Sequence, residues 1–442
     1  MVAIRIQDAV VLAAEHLMGR RLDQAERVVS AILAQAPEEP SALHLKALIL
    51  RQRNETPAAL TVLDQVARLA PEFAEAHINR GNALNSLGRE AEAMVAYETG
   101  LALNPAQAEA WNNLGALRHR NGLRDAAVAA FRQAIRFDPQ HREARRNLSV
   151  ALSELIPGWH IAMMNDTLRN RAYDQALRRA IAPGDHVLEI GTGSGLLAMM
   201  AARAGAGRVT TCEMVPTLAA VAQEIIACNG YGEMIRVINL PSTQVTVEAM
   251  GGPADVLVSE ILSSDFLSEQ VLPTLTDARR RLIGPGAPVI PAAGSLRIAL
   301  ATGPQIAASL HVGMVDGFDL SLFNAVTPAK KAIDLKGMPL PLLSAPVSAF
   351  SFDFVADSHW TPAETQLEIP VTAQGLCYGV AQWIHLDMDG ETAFSNTPEN
   401  PQPASGWQPM LYAFAEPLPV DVGQTVTIQA FHDCNRPWFQ RG

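Results

Sequence analysis

Two glutamates lie nine positions apart at the end of an apolar segment that has the pattern of a buried strand. Glu260 follows directly after residues 254 to 259, and Glu269 lies at the far end of the next loop. Two neighbouring carboxylates can form both sides of a hydrogen-bonded clamp on a planar guanidinium group. Such a clamp would orient one nitrogen for reaction and localise its lone pair. The alternative is a strand-end acid and a solvated helix acid with no joint role.

A glycine-rich turn occurs upstream of this pair. The apolar residues 186 to 190 run into Gly191, Gly193 and Gly195, and Glu189 precedes them in the pattern Glu-x-Gly-x-Gly-x-Gly. Glycines allow close approach of a ligand to the backbone, and the amino terminus of the following helix favours negative charge. NAD-binding turns more often read Gly-x-Gly-x-x-Gly, and Glu189 would face a pyrophosphate unfavourably. The acid suits the cationic amino-acid end of S-adenosylmethionine instead.

A second acid supports a nucleoside-bearing cofactor. The strand predicted over residues 208 to 212 ends at Glu213, which lies 22 residues after Gly191. A carboxylate at the end of the second strand can accept hydrogen bonds from both ribose hydroxyls. Glu213 and the turn together favour S-adenosylmethionine over NAD.

These residues meet only if an alternating strand and helix domain brings their strand ends to one edge of a sheet. Strand-like and helical patterns alternate from residue 157 to residue 290, as is typical of a doubly wound parallel sheet. Short alternating strands follow over residues 291 to 442. We therefore expect a Rossmann-like α/β methyltransferase domain over 157–290 and a further domain of short strands over 291–442.

The first third of the chain has a fixed period. Pro37, Pro71, Pro105 and Pro139 are each 34 residues apart, and each ends an apolar helical stretch. This period matches tetratricopeptide repeats, in which pairs of helices stack into a solenoid. We expect an all-α repeat array with a capping helix over residues 1–156.

The concave face of such an array usually binds a peptide or another domain. The face is predicted to include Asn79, Asn82, Asn112 and Asn113, whose amides can both donate to and accept from extended backbone. The array either recruits a substrate or partner protein, or acts as a scaffold that stabilises the chain or mediates self-association.

Charge is distributed unevenly along the chain. Residues 1 to 158 hold 18 basic and 18 acidic side chains, so that 16 basic and 27 acidic side chains lie beyond them. The acidic half should attract a cationic substrate and repel nucleic acid. The four cysteines and the scattered histidines lack metal-ligand or disulfide spacing, so no metal is predicted. Without a leader pattern or a long uncharged apolar run, we expect a cytoplasmic protein with no membrane interaction.

The glutamate pair after the predicted fourth strand resembles the protein arginine methyltransferases, whose hallmark is the same pair at the same spacing. The resemblance spans about residues 159 to 442. It implies transfer of a methyl group from S-adenosylmethionine to a guanidinium nitrogen of arginine in protein substrates. Glu260 and Glu269 would be the catalytic residues, and one of them would accept a proton, with Asp265 nearby in the substrate site.

The resemblance extends on both sides of the glutamate pair. Residues 163 to 169 look like the family's helical segment that folds over the cofactor, where Arg169 would bind the cofactor carboxylate and Asp166 would support the active-site edge. Ile290 and Pro291 look like the junction into the family's carboxyl-terminal domain, which implies an antiparallel β-barrel over 291–442. Residues 317 to 320 look like the start of the dimerisation arm, which implies a homodimer. The stretch around Trp407 is similar to the loop that closes the arginine pocket.

Three segments differ from the commonest family pattern. Residues 405 to 407 read Ser-Gly-Trp in place of Thr-His-Trp, so the histidine expected to pair with Asp166 is absent. Residues 242 to 244 read Ser-Thr-Gln where an adenine-contacting glutamate is usual, which leaves Thr243 as the candidate contact. Residues 261 to 265 are closer to the divergent branch that monomethylates or symmetrically dimethylates arginine. One vertebrate member of that branch also carries tetratricopeptide repeats.

Two other functions remain open at this point. One is a methyltransferase that acts on a small molecule or on another nitrogen or oxygen of a peptide. The other is a catalytically inactive recruitment module, whose function would be binding by the repeats. The intact glycines and acids argue against the second, because a decayed site would have no physical need for them.

Overall fold

The structure, a computed structural model, forms two compact units, Met1–Pro157 and Gly158–Gly442. It describes residues 5–156, 158–310, 312–335, 338–356, 359–399, 401 and 406–442. Ser405 of the predicted pocket-closing loop lies outside the described residues. Within these ranges, no helix is long and apolar enough to cross a membrane.

The first unit is a stack of antiparallel helix pairs, which confirms the predicted repeat array. The helices are α1 (Ile6–Met18), α2 (Leu22–Gln35), α3 (Pro40–Gln52), α4 (Thr56–Leu69), α5 (Ala74–Ser86), α6 (Glu90–Leu103), α7 (Ala108–Arg120), α8 (Arg124–Phe137) and α9 (Arg142–Leu155). Glycines allow the paired helices to pack closely. A Cβ at Gly81 would lie 2.8 Å from the ring of Tyr97, and one at Gly115 would lie 2.6 Å from the ring of Phe131.

The predicted asparagines take part in a hydrogen-bond ladder between successive repeats. Asn79 contacts His44 of the preceding repeat at 2.9 Å, and Asn113 donates to Asn82 at 3.3 Å. Asn112 is buried and accepts a hydrogen bond from Asn147 at 3.0 Å. Asn112 therefore packs between helices, whereas Asn79, Asn82 and Asn113 are only partly buried.

The second unit begins with a parallel sheet flanked by helices. Its elements are α10 (Trp159–Asn165), α11 (Thr167–Ala180), β1 (His186–Ile190), α12 (Leu196–Ala204), β2 (Arg208–Cys212), α13 (Pro216–Cys228), β3 (Ile235–Ile238), a 3-10 helix (Ser242–Gln244), α14 (Val247–Met250), β4 (Val256–Ser259), α15 (Val271–Arg281) and β5 (Val289–Ile290). The strand order is β3-β2-β1-β4-β5 with parallel pairing throughout. Since Ile190 pairs with Ser259, the loops that follow β1 and β4 emerge side by side.

An antiparallel part follows in the same unit. Its elements are β6 (Ala293–Ala301), α16 (Pro304–Leu310), β7 (Met314–Val315), β8 (Phe318–Asp319), a 3-10 helix (Ser321–Val326), β9 (Lys330–Ala332), β10 (Val347–Asp353), β11 (Ala363–Pro370), β12 (Gly375–Asp387), β13 (Ala393–Ser395), β14 (Met410–Val420), β15 (Thr425–His432) and β16 (Pro437–Arg441). One sheet has the order β10-β6-β12-β14-β9 with β13 on β12, and a second has the order β11-β15-β16. Among the described residues the predicted barrel therefore consists of two sheets whose strand pairing does not close into a ring. One hydrophobic cluster joins them to the parallel sheet through residues such as Leu257, Phe266, Leu296 and Ile384.

Candidate functional site

The glycine-rich turn follows β1 and adopts a backbone conformation that side chains disfavour. Gly191, Gly193 and Gly195 have φ values of +86°, +51° and +80°. A Cβ at Gly191 would also lie 2.8 Å from Ile261, and one at Gly195 would lie 2.9 Å from Ile226. The turn is therefore tightly packed against two neighbouring segments.

Glu213 lies at the end of β2 beside this turn. Its Oε2 accepts a hydrogen bond from the backbone N–H of Gly193 at 3.1 Å, and its Oε1 accepts one from Val215 at 2.9 Å. A carboxylate has lone pairs for further bonds, so the fixed Glu213 side chain can still receive a ribose diol. Its position thus fits the nucleoside part of S-adenosylmethionine.

Glu189 lies beneath the turn. It is 1% exposed and accepts a hydrogen bond from the hydroxyl of Thr211, which in turn contacts the hydroxyl of Thr192. Burial raises the pKa of Glu189 to about 8. This carboxyl group therefore supports the turn through Thr211 and Thr192. No pattern in the sequence identifies Thr211 as a partner of Glu189.

Glu260 follows β4, and its side chain is 6% exposed. Burial raises the pKa of Glu260 to about 8, although the guanidinium of Arg169 opposes the shift. The negative charges of Glu269, Glu189 and Asp166 also act on Glu260 and raise its pKa further. Acids from three separate segments of the sequence are thus brought within electrostatic reach of Glu260.

The carbonyl that precedes Glu260 is held by a buried tyrosine. The hydroxyl of Tyr173 donates to the carbonyl oxygen of Ser259 at 3.0 Å. Burial raises the pKa of Tyr173 well above its usual value, so that this hydroxyl remains a hydrogen-bond donor. Tyr173 therefore fixes the strand end from which Glu260 projects.

Glu269 is exposed at the rim of a small cavity of about 90 Å³. Partial desolvation by the surrounding residues and the negative charge of Asp265 raise the pKa of Glu269. The residues that line the cavity come from α10, from the glutamate loop and from the segment before β14, and they are Trp159, Met163, Leu262, Ser263, Ser264, Glu269, Gly406 and Trp407. This cavity is the candidate acceptor pocket.

Arg169 on α11 is buried against Glu260. Its Nη1 lies 3.3 Å from Glu260 Oε2, and its guanidinium carbon lies 5.9 Å from the ring centres of Tyr173 and Trp407. Among the described atoms, Nη1 has no partner with hydrogen-bond geometry, and neither does the buried Asp166 Oδ2. Asp166 uses its other oxygen to cap α11 by accepting the N–H of Arg169 at 3.0 Å. Both residues lie at the start of α11, so this end of the helix fits a ligand with a carboxylate and an ammonium group.

Trp407 and Gly406 form one wall of the cavity. The indole N–H of Trp407 donates to the carbonyl of Leu262 at 2.6 Å. A Cβ at Gly406 would lie 2.9 Å from Met163 Cβ and 3.0 Å from its backbone nitrogen. The missing histidine is thereby explained, because α10 packs where any side chain at position 406 would lie.

Asp265 does not line the cavity. Its carboxylate accepts hydrogen bonds from Lys330 Nζ at 2.6 Å, from the hydroxyl of Ser263 at 2.6 Å and from that of Ser268 at 2.6 Å. The expected substrate contact is thus already engaged by two serines of the same loop and by Lys330 of β9. Lys330 was missed from the sequence because it lies 65 residues away from Asp265.

Thr243 lies exposed on the 3-10 helix after β3, at the edge of the sheet that also carries Glu213. The neighbouring Ser242 is buried. Within the described ranges, no cluster of His, Cys, Asp and Glu side chains could hold a metal ion.

Known proteins match the two parts of the chain separately. Residues 174–290 match the family model of ribosomal protein L11 methyltransferase, and residues 44–99, 81–122 and 108–141 match models of tetratricopeptide repeats. The trypanosomal structure "Trypanosoma brucei PRMT1 enzyme-prozyme heterotetrameric complex with AdoHcy" is 23% identical, with a TM-score of 0.55 over 63% of this chain and 88% of that one. This likeness shows the fold.

Two curated relatives bear on the family to which the chain belongs. The arginine N(omega)-methyltransferase of Streptomyces achromogenes subsp. streptozoticus is 41% identical over 62% of this chain and 76% of the relative. Protein arginine N-methyltransferase 7 of Oryza sativa subsp. indica is 31% identical over 54% of this chain, but the match covers only 36% of that protein. The chain therefore belongs to the arginine N-methyltransferase family, whose cofactor is S-adenosylmethionine.

Proposed function

We propose that this chain transfers a methyl group from S-adenosylmethionine to a guanidinium nitrogen of arginine in protein substrates. The observation that carries the proposal is the concentration of acids around Glu260, on which Glu269, Glu189 and Asp166 all act. Within the described ranges, Arg169 is the one cation that forms an ion pair with these acids. Their mutual repulsion therefore favours a second bound cation. A guanidinium fits best, because it is planar and offers several donors to paired carboxylates.

Bound S-adenosylmethionine supplies an electrophilic methyl group. On this proposal, Glu213 and the turn at Gly193 hold the ribose end, Arg169 holds the carboxylate, and Thr243 is a candidate contact for the base. Glu260 and Glu269 bind the acceptor guanidinium and orient one nitrogen toward the methyl group. One of these two glutamates then accepts the proton that the methylated nitrogen loses. Trp407 and Asp166 shape the edge of the acceptor site.

A labelling experiment tests the acceptor class. Purified full-length protein is incubated with methyl-labelled S-adenosylmethionine and native lysate, and labelled sites are located by mass spectrometry. Label on arginine side chains of proteins is the expected result. Label confined to lysine, to carboxyl oxygens or to small molecules would reject the proposal.

Free arginine is a second candidate acceptor. The Streptomyces relative is named for arginine without reference to protein, and the cavity beside Glu269 is small. A direct comparison of rates with free arginine and with an arginine peptide separates the two acceptors. A rate with free arginine that exceeds the peptide rate would favour the second candidate.

We also propose that the repeat array binds an extended segment of a substrate or partner protein. Asn79, Asn82 and Asn113 are partly buried, are linked across successive repeats, and carry amide groups suited to peptide backbone. The chain would work in the cytoplasm, without binding nucleic acid.

A homodimer is part of the same proposal. The segment that contains β7, β8 and the following 3-10 helix exposes large apolar side chains, with exposed fractions of 71% at Phe318, 90% at Leu322 and 65% at Phe323. Apolar surface of this extent marks an interaction site. A second copy of this chain is the proposed partner.

A further inference from the structure

The loop from Glu260 to Glu269 is held by donors from the antiparallel part. The indole of Trp407 donates to Leu262 O at 2.6 Å, and the amide of Gln382 donates to Ser264 O at 3.3 Å. Lys330 adds the only charged contact of this kind among the described residues, at 2.6 Å from Asp265 Oδ2. Contacts from outside the parallel sheet therefore contribute to fixing the position of the glutamate loop.

Lys330 is fixed on its own strand. It lies on β9 opposite Tyr412 of β14, and its ammonium group lies 5.3 Å from the Tyr412 ring centre. The side chains of Lys330 and Asp265 are 21% and 10% exposed. Because the pair is mostly desolvated, its charges are screened much less than those of a surface ion pair.

Asp265 also accepts hydrogen bonds from Ser268, the residue directly before Glu269. One Asp265 oxygen accepts the backbone N–H of Ser268 at 3.2 Å, and the other accepts Lys330 Nζ at 2.6 Å. The Ser268 hydroxyl lies within hydrogen-bond distance of both oxygens, at 2.7 Å and 2.6 Å. Burial disfavours an ionised Asp265, but Lys330, Ser263 and Ser268 outweigh burial and hold the pKa of Asp265 below its usual value. The Ser263 hydroxyl, which itself donates to Asp265, accepts the same Ser268 N–H at 3.1 Å. Ser268 directly precedes Glu269, so the direction of the Glu269 backbone depends on the Asp265 carboxylate and on the serine bound to it.

We propose that Lys330 is a positioning residue for methyl transfer, which acts through Asp265 and Ser268 to set the orientation of Glu269. This inference rests on the proposed function, because it assigns Lys330 to the acceptor clamp and leaves the cofactor site unaffected. Lys330 also follows the apolar 3-10 helix Ser321–Val326 by only a few residues, so the clamp is linked to the segment proposed to mediate dimerisation.

The test compares Lys330→Met and Lys330→Arg with the neighbouring variant Lys331→Met in the full chain. Lys331 points elsewhere and donates to the carbonyl of Ser309, so it is a matched control. Three experiments are made: hydrogen exchange of the Ser268 and Glu269 amides, steady-state kinetics that give kcat and KM for an arginine peptide, and calorimetry that gives cofactor affinity. The double variant Lys330→Met/Asp265→Asn avoids a buried unpaired charge if the single variant fails to fold.

In Lys330→Met, exchange at Ser268 is expected to rise and kcat to fall by about tenfold to 100-fold, since displacement of an orienting group is costly. Cofactor affinity should stay within about twofold, because the cofactor residues are distant from Lys330 in the sequence and share no partner with it. Lys330→Arg keeps a positive charge for Asp265 and should restore most of the activity, and Lys331→Met should match the wild type. Unchanged exchange at Ser268 in Lys330→Met or in the double variant would overturn the inference. A parallel loss of cofactor affinity would overturn it as well.

Different results reject the proposed function and the role of Lys330. If the wild-type protein methylates no arginine, the proposed function is rejected, and the exchange data still decide whether Lys330 orders the loop. If the wild type is active and Lys330→Met retains its kcat, only the inference is rejected.

Discussion

Glu260 lies at the centre of the candidate site, in contact with the chain's own Arg169 and under the influence of three other acids. A cation bound next to this buried carboxyl group would stabilise its ionised form. Glu269, in contrast, is exposed at the cavity rim. The pair therefore combines an internal anchor with an accessible partner.

Replacing either glutamate by glutamine should abolish most methyl transfer. Loss of one partner of a buried charged hydrogen bond costs about 2–5 kcal/mol, and we expect kcat/KM for an arginine peptide to fall by about 100-fold or more. Cofactor affinity, measured by calorimetry, should be retained because Glu213 and Gly193 are unchanged. Glu213→Gln is the converse control, with weakened cofactor binding. Full activity in Glu260→Gln or Glu269→Gln would remove the clamp.

The raised pKa of Glu260 gives a pH prediction. The arginine acceptor stays cationic, so productive binding needs ionised Glu260, whose pKa is raised to about 8 mainly by burial. Acceptor kcat/KM should therefore rise with pH through about 8 and level off above it. The same shift means that neutral Glu260 stabilises the ligand-free fold at low pH and that this contribution is lost as pH rises through about 8.

The buried Glu189 also has a pKa raised to about 8, so Glu189→Gln is the control for this profile. That variant should keep the rising limb of acceptor kcat/KM. A limb that disappears in Glu189→Gln, or that persists in Glu260→Gln, would assign the titration to another group.

At the residue scale, the sequence was most informative where the interacting groups share one short segment. Glu260 and Glu269 were found because both lie on one loop. The contacts of Lys330 with Asp265 and of Thr211 with Glu189 join distant segments, and no periodic pattern encodes such pairs. The sequence placed Asp265 at the substrate because its partner Lys330 lies 65 residues away and no local pattern indicates the pair.

At the scale of elements, the glutamate loop is anchored in the core by one aromatic residue. Phe266 has φ of +77° and is fully buried, with its ring stacked on those of Phe352 and Phe354. A Cβ at Gly294 of β6 would lie 2.3 Å from the Phe266 ring. The loop thus depends on a glycine in a neighbouring strand.

Gly294→Ala should therefore destabilise the loop. Overpacking of this kind costs about 1–3 kcal/mol, so we expect a lower melting temperature and a reduced rate of methyl transfer. Gly313→Ala is the matched control, since no described atom lies within 4 Å of a Cβ at that position. Equal melting temperatures for the two variants would show that Phe266 is not held in this way.

Helices and strands were largely predictable, since the 34-residue period and the strand patterns are local signals. The parallel sheet and the repeat array agree with those predictions. The division of the antiparallel part into two sheets was not foreseen, because strand pairing depends on contacts between distant segments. The close packing of Gly406 on Met163, which accounts for the absence of a histidine at position 406, likewise joins distant segments.

At the scale of the whole molecule, a charge-balanced repeat array precedes a strongly acidic second unit. This difference follows directly from counting side chains and favours a cationic acceptor at the second unit. What the array binds depends on surface chemistry that a repeat period does not specify.

Removing amides from the array should affect protein substrates selectively. Asn79→Ala/Asn113→Ala should raise KM for a protein acceptor several-fold, at about 1 kcal/mol for each lost hydrogen bond, while kcat with a short arginine peptide stays unchanged. Arg132→Ala, at an exposed position on α8, is the control. An unchanged KM for protein acceptors would favour the scaffold alternative.

Introducing charge into the exposed apolar segment that contains β7, β8 and the following 3-10 helix should prevent self-association. Phe318→Asp/Leu322→Asp places carboxylates on side chains that are 71% and 90% exposed, so folding should be retained. Sedimentation velocity should show a dimer for the wild type and a monomer for the variant. A wild-type monomer would refute the proposed homodimer.

The most direct test uses two peptides that differ only by arginine or lysine at one position, with S-adenosylmethionine and either wild-type protein or Glu260→Gln. Tandem mass spectrometry locates any methyl group. The account predicts methylarginine with the wild type alone and an unmodified lysine peptide. Methyllysine, or methylarginine formed by Glu260→Gln at the wild-type rate, would contradict the assignment of Glu260 and Glu269 as an arginine clamp.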